Sequence, residues 1–168
     1  MTMSIKLFKH NQTAYTIAND MLDKVGKAAV IHPTGTGKSM IAFKLVETHP
    51  DAQFLWLAPS TYIYHTQLEN LQRMIGDSDT EILLEYVTFM TYSKLMHDED
   101  IIDNMQPDYI ILDEFHRCGA KEWEEVLQSF LKLIPLLSCW AFQQPVSDIW
   151  IISAIWRRSC LMAVLLPR

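Results

Sequence analysis

Cysteine is scarce in this 168-residue chain and forms no pattern. Cys118, Cys139 and Cys160 are an odd number without a C-x-x-C spacing. That argues against a disulfide framework or a cysteine-built zinc site, and fits the reduced thiols of a cytoplasmic protein. The N-terminus, "MTMSIKLFKHNQ", lacks the apolar core of a secretory signal. A membrane span is missing as well, because the apolar stretch from Ile149 to Leu166 is broken at its middle by Arg157 and Arg158. Positive charge is not in excess: the net charge is −6, which argues against a generally basic nucleic-acid coat. A local phosphate-binding groove is still allowed, since it depends on where charge lies rather than on the sum. Internal repeats and low-complexity segments are absent.

What is present suits a folded domain. With 49% hydrophobic and 20% charged residues the chain can bury a core, and its length suggests one compact unit. In "NQTAYTIANDMLDKV", Ala14, Ile17, Ala18, Met21, Leu22 and Val25 recur at three- and four-residue spacings, which predicts a helical face. "AAVIH" (28–32) reads as a buried strand, "KSMIAFKLVETH" as a helix ended by Pro50, "FLWLAP" as a second strand and "TYIYHTQLENLQRMI" as a helix. "EYVTFMTY" is strand-like, "SKLMHDEDIIDNM" reads as short helical pieces, "DYIILDE" as a strand, and "KEWEEVLQSFLKLI" as an amphipathic helix. Strands alternating with helices predict a mostly parallel sheet with helices on both faces. Ligands of such sheets bind beyond the carboxyl ends of the strands, and two chemically loaded loops fall there.

The first is "HPTGTGKS", 32–39. Gly35 and Gly37 let the backbone curl so that its N–H groups point inward, and the following helix start favours an anion. Lys38 can reach β- and γ-phosphates, and the Ser39 hydroxyl can bind Mg²⁺. The strict G-x-x-x-x-G-K-[ST] pattern fails at His32, where an ordinary helix-capping turn is the plainer alternative. The second loop follows "DYIILDEFHRCG". Asp113 and Glu114 end a buried strand, where unpaired charge is costly. Asp113 is the expected metal-side ligand and Glu114 the expected general base. Alone, such a pair is more often two solvated carboxylates; the phosphate loop 75 residues upstream reverses that balance. Cys118 reads as a small buried residue.

"HPTGTGKS" together with "DEFH" resembles the first RecA-like domain of superfamily 2 helicases of the DExH/DEAD-like type. The family's motif I, A-x-T-G-x-G-K-[ST], is matched from Thr34 through Gly35, Thr36, Gly37, Lys38 and Ser39, with His32 in place of the alanine. D-E-x-H is matched at Asp113, Glu114 and His116. The resemblance implies ATP and Mg²⁺ as ligands, with His116 sensing nucleotide or relaying to a neighbouring domain. "LAPSTYIYHTQ" is similar to the element that grips the nucleic-acid backbone, implying Pro59, Ser60 and Gln67 at the bound strand. "FMTYSKL" adds Thr91, and Gln12 stands where many such helicases place a glutamine that reads adenine. The implied partners are DNA or RNA and a second RecA-like domain whose arginines complete the ATP site. The expected fold is therefore an α/β RecA-like P-loop domain, incomplete at its C-terminus.

Residues 1–135 are assigned to that domain, and 136–168 to an atypical apolar tail. Of 20 acidic residues only Asp148 lies after Ser138, and three of five tryptophans (Trp140, Trp150, Trp156) lie in the last thirty residues. The family continues here into a strand ending in Ser-Ala-Thr, and no such triplet stands in this chain. Reading the last base of each codon with the first two of the next forces Gly at Trp140–Ala141 and permits Leu-Ser-Ala-Thr after it. Farther on, Asp is forced at Trp150–Ile151. The proline that often follows the triplet cannot be encoded. A shifted reading frame is the expectation; the alternative is a genuine apolar tail packed on the sheet edge.

Three functions compete. An ATP-dependent helicase or translocase, present as its first motor domain and inactive in unwinding alone, is the leading one. A non-catalytic nucleotide-binding module is the second. A small-molecule kinase is disfavoured by D-E-x-H and by the strand-gripping element.

Overall fold

The computed structural model describes residues 4–33, 35–97, 105, 107–114, 138–143 and 163–165. In chain order the elements are α1 (Lys9–Val25), β1 (Lys27–Ile31), α2 (Lys38–Thr48), β2 (Phe54–Ala58), α3 (Thr61–Ile75), α4 (Asp77–Leu83), β3 (Val87–Thr91), α5 (Tyr92–His97), β4 (Tyr109–Leu112), β5 (Ser138–Gln143) and β6 (Ala163–Leu165). The strands form one sheet in the order β3-β2-β4-β5-β1-β6. Every neighbouring pair is parallel, so all carboxyl ends share one edge.

The chain steps in one direction from β1 to β2 to β3, then returns to β4. Right-handed crossovers place the outward and the returning connections on opposite faces. Burial on both faces explains the unbroken apolar runs: every residue of β2 is buried, as are Ile110, Ile111 and Leu112 of β4. Phe43 of α2 packs on Trp56 with ring centroids 4.8 Å apart, and Phe89 of β3 lies 5.3 Å from the same indole. Burying side chains of this size stabilises the fold by roughly 1.5–3 kcal/mol each.

α3 occupies the residues its periodicity predicts, and Ser60 caps it by accepting from the Ile63 N–H at 3.4 Å. α1 differs in one respect. Its buried stripe runs through Asn11, Ala14, Ala18, Met21 and Leu22, while Ile17 is 41% exposed at the margin. The sequence placed an apolar residue on the inner face that the helix turns outward, and left unread a polar one that it turns inward. "SKLMHDEDIIDNM" yields α5 at its start; its remainder, apart from Met105, lies outside the described residues, as does the helix expected over "KEWEEVLQSFLKLI". Within the tail, β5 is not on an edge but between β4 and β1, whereas β6 takes the outer position beside β1.

Candidate nucleotide-binding site

The loop after β1 connects His32 to α2 with two left-handed residues, Gly35 and Gly37, both at φ +77°. A side chain at either would be strained, which is why glycine stands there. Gly37 also serves as the N-cap of α2, so the loop ends at a helix start. The Thr36 hydroxyl donates to the Pro33 carbonyl at 2.8 Å. Thr34 lies outside the described residues, as does His116.

Sequence reading passed over the residue that holds this loop in place. Asn11, fully buried on α1, donates its amide to the Thr36 carbonyl at 2.8 Å and to the Gly37 carbonyl at 3.3 Å. His10 approaches the same Thr36 carbonyl at 3.3 Å. The available signal was a polar residue three before Ala14 and seven before Ala18, in the apolar stripe of α1. Gln12, the expected adenine reader, is exposed one residue further on. A Cβ on Gly37 would stand 3.1 Å from the Asn11 amide nitrogen, whereas one on Gly35 would meet nothing within 4 Å. Gly37→Ala is therefore expected to cost about 1–3 kcal/mol and to weaken nucleotide binding more than Gly35→Ala does. Thermal melts and fluorescent-ADP titrations of both variants test this; equal losses would show that the Asn11 contact is immaterial.

Lys38 is buried, with its ammonium donating to the His32 carbonyl at 3.2 Å and to Glu114 Oε1 at 3.3 Å. Two of the expected catalytic groups, 76 residues apart, thus meet across the sheet edge. Glu114 adopts φ 48°, the only described non-glycine residue with positive φ. Such a conformation persists only where its surroundings enforce it. The His32 ring is buried, with both nitrogens unpartnered among the described residues. Burial chiefly, then His10 and Lys38, push its pKa below the usual value, so the ring is neutral at pH 7.

Asp113 directly follows β4 and is 3% exposed. Its N–H donates to the Leu57 carbonyl at 2.9 Å, extending the ladder with β2. Burial pushes its pKa up to about 6, against a hydrogen bond from Gln67 that lowers it. A buried carboxylate in this condition is relieved by a cation. The Asp113 carboxylate and the Ser39 hydroxyl of α2, the two groups expected on the metal side, are hard oxygen donors of the kind that suits Mg²⁺. Among the described residues no group of three or more His, Cys, Asp or Glu could hold a metal alone. The residues present fit a magnesium nucleotide.

Of the four residues expected at the nucleic acid, Pro59, Ser60 and Thr91 fall at the carboxyl ends of the neighbouring strands β2 and β3, and Gln67 lies in the middle of α3. Pro59 and Ser60 lead into α3, the Ser60 hydroxyl acting as its cap. Thr91 ends β3, with its hydroxyl accepting from the Lys94 N–H at 3.2 Å. Gln67 turns the other way and donates its amide to Asp113 Oδ2. Tyr92, which no motif pointed to, donates its hydroxyl to the Asp113 carbonyl at 2.9 Å.

A parallel sheet with a glycine-turned loop on β1 and an acidic pair on β4 defines the amino-terminal RecA-like motor domain of superfamily 2 helicases. The profile of the family described as "Type III restriction enzyme, res subunit" matches residues 4–137, and the chain belongs to that family. Its fold is similar to that of the Pyrococcus furiosus Hef helicase domain, with TM-score 0.64, 16% identity, and coverage of 88% of this chain and 35% of that one. It is also similar to the Sulfolobus solfataricus SWI2/SNF2 ATPase core in complex with dsDNA, with TM-score 0.67, 12% identity, and coverage of 92% and 36%. The chain thus spans about a third of the length of either solved structure. No curated protein matches it in sequence. Among the described residues no helix is long and apolar enough to cross a membrane.

Proposed function

We propose that the chain is the ATP-binding half of a nucleic-acid helicase or translocase motor. The observation that carries this is the meeting of Lys38 with Glu114 beneath a loop built on two left-handed glycines. Gly35, Thr36 and Gly37, with Thr34, present backbone N–H groups to the phosphates, and Gln12 reads the adenine. Lys38 exchanges Glu114 for the β- and γ-phosphate oxygens. Glu114, relieved of its cation, orients the attacking water and accepts its proton. Ser39 and Asp113 hold the magnesium ion, which when bound neutralises charge developing between the β- and γ-phosphates. His116 relays the nucleotide state to the second domain. Pro59, Ser60 and Thr91 face the nucleic acid, with Gln67 behind them. The duplex DNA in complex with the SWI2/SNF2 core supports a nucleic-acid partner.

The chain alone is expected to bind Mg²⁺–ATP and ADP, to hydrolyse ATP slowly, and to leave duplexes intact. Arginines supplied by a second domain are worth about 10³–10⁵ in rate. Calorimetric titration, phosphate release with and without oligonucleotide, and a strand-displacement assay test this. Robust unwinding by the 168-residue chain overturns the half-motor reading, and nucleotide binding without hydrolysis, with or without oligonucleotide, favours the non-catalytic module.

Residues 136–168 are proposed to derive from a shifted reading frame, consistent with a family match that ends at 137. An uninterrupted gene, with no one-base slip near codons 136–139 and no second domain downstream, overturns this.

A further inference from the structure

Gln67 occupies a position that sequence similarity gives to the nucleic acid, yet its side chain faces the acidic loop. It lies on α3 seven residues after the Ser60 cap, which is about 10 Å along the helix axis. Its amide nitrogen donates to Asp113 Oδ2, and its amide oxygen is buried with no partner among the described residues. Buried amide atoms in folded proteins are seldom left unpaired, so a glutamine needed only for a surface contact has little reason to sit this way. Asp113 is meanwhile held from a second side, by the buried bond from the Tyr92 hydroxyl to its carbonyl. α3 and α5 follow the ends of β2 and β3, so both grips on this aspartate come from the side of the sheet expected to meet nucleic acid.

We propose that Gln67 is a positioning residue for magnesium: it fixes the Asp113 carboxylate in the orientation that receives the ion. This rests on the reading of the phosphate site given above. An aspartate at the end of a strand has two rotatable bonds. One carboxylate oxygen anchored by an amide donor leaves the other directed for coordination. Hydrogen bonds that orient ligating carboxylates typically change metal affinity by about 10–100-fold when removed. The anchor comes from the middle of a continuous helix whose first turn lies at the strand-binding surface. The carboxylate is thereby tied to an element that starts at the surface expected to meet a bound strand.

The experiment titrates the full chain with fluorescent ADP in Mg²⁺ and in EDTA, for wild type, Gln67→Met and Gln67→Ala. Methionine keeps the length of the side chain and removes the donor; alanine opens the contact to water, and carries the test if the methionine variant does not melt cooperatively. Magnesium is expected to tighten binding by wild type, and this enhancement is expected to shrink about tenfold or more in the variants. Affinity in EDTA is expected to stay near wild type, which a merely structural role would not allow; the apo melting temperature is expected to fall, because the buried Asp113 carboxylate loses a donor. Full magnesium enhancement in both variants overturns the proposal alone. Wild-type binding that ignores magnesium overturns the roles of Asp113 and Gln67 together and leaves the phosphate loop standing. Absence of nucleotide binding by wild type overturns the phosphate site, and this proposal with it.

Discussion

Lys38→Ala is expected to lower affinity for Mg²⁺–ATP and ADP by about 100-fold or more. The ammonium is a buried donor with two partners, the His32 carbonyl and Glu114, and it stands directly after the loop expected to hold the phosphates. Truncating one member of a hydrogen-bonded, desolvated charge pair costs about 2–5 kcal/mol, and each 1.4 kcal/mol is tenfold in affinity. The same truncation leaves Glu114 without its cation, so the domain without nucleotide loses stability as well. Binding is therefore measured well below the melting temperature. Lys38→Met, which keeps the aliphatic stem, serves as the second variant. Wild-type affinity in both would remove Lys38 from the phosphate site.

Asp113→Asn is expected to act in opposite directions on stability and on binding. Raising the Asp113 pKa from 3.8 to about 6 means that the folded domain holds the proton more tightly than the unfolded chain does. At neutral pH the ionised group destabilises the fold by up to about 3 kcal/mol. Asparagine has the same shape, carries no charge, and still accepts from Gln67. The domain without nucleotide should melt several degrees higher at pH 7, since about 1 kcal/mol moves the midpoint by 2–4 °C at this size. The sign reverses what salt-bridged carboxylates do. The penalty is fully present above pH 6, shrinks as pH falls toward 3.8, and is gone below it, so the two melting curves should converge on acidification. Magnesium-dependent tightening of nucleotide should disappear in the same variant. A variant less stable than wild type at pH 7 would show that the carboxylate is not a stored cost of the site.

Most elements could be read from the sequence because their signal is local. The runs 54–58 and 109–112 are apolar throughout because both faces of a parallel sheet are covered, and α3 carries its own cap at Ser60. The two loops were legible for the same reason: glycine, lysine and paired acids declare chemistry without knowing their neighbours. What crosses between elements was not legible. Asn11 and Gln67 look like ordinary helix polars until the fold sets one against the loop carbonyls and the other against Asp113. Tyr92 resembles any strand-end tyrosine. Ile17 shows the converse: a three-and-four spacing defines a stripe about one helix wide but not its margin. β5 was not read as a strand, because 138–143 belonged to a tail unlike the chain before it, and only the pairing of β4 and β1 on either side gives it a place.

That placement of β5 has a mechanical consequence. β1 carries the phosphate loop and β4 carries the acids, yet these two strands do not touch; each is laddered to β5. With neighbouring strands about 4.8 Å apart, the two halves of the site stand nearly 10 Å from each other. They are bridged by the long reach of Lys38 toward Glu114. A chain cut before Ser138 would leave two bare edges facing one another across a slot one strand wide. Closing the slot would bring the acids a full strand spacing too near the loop, and leaving it open would invite a strand from another molecule. The spacing of the catalytic groups is thus set by a strand that contributes none of them.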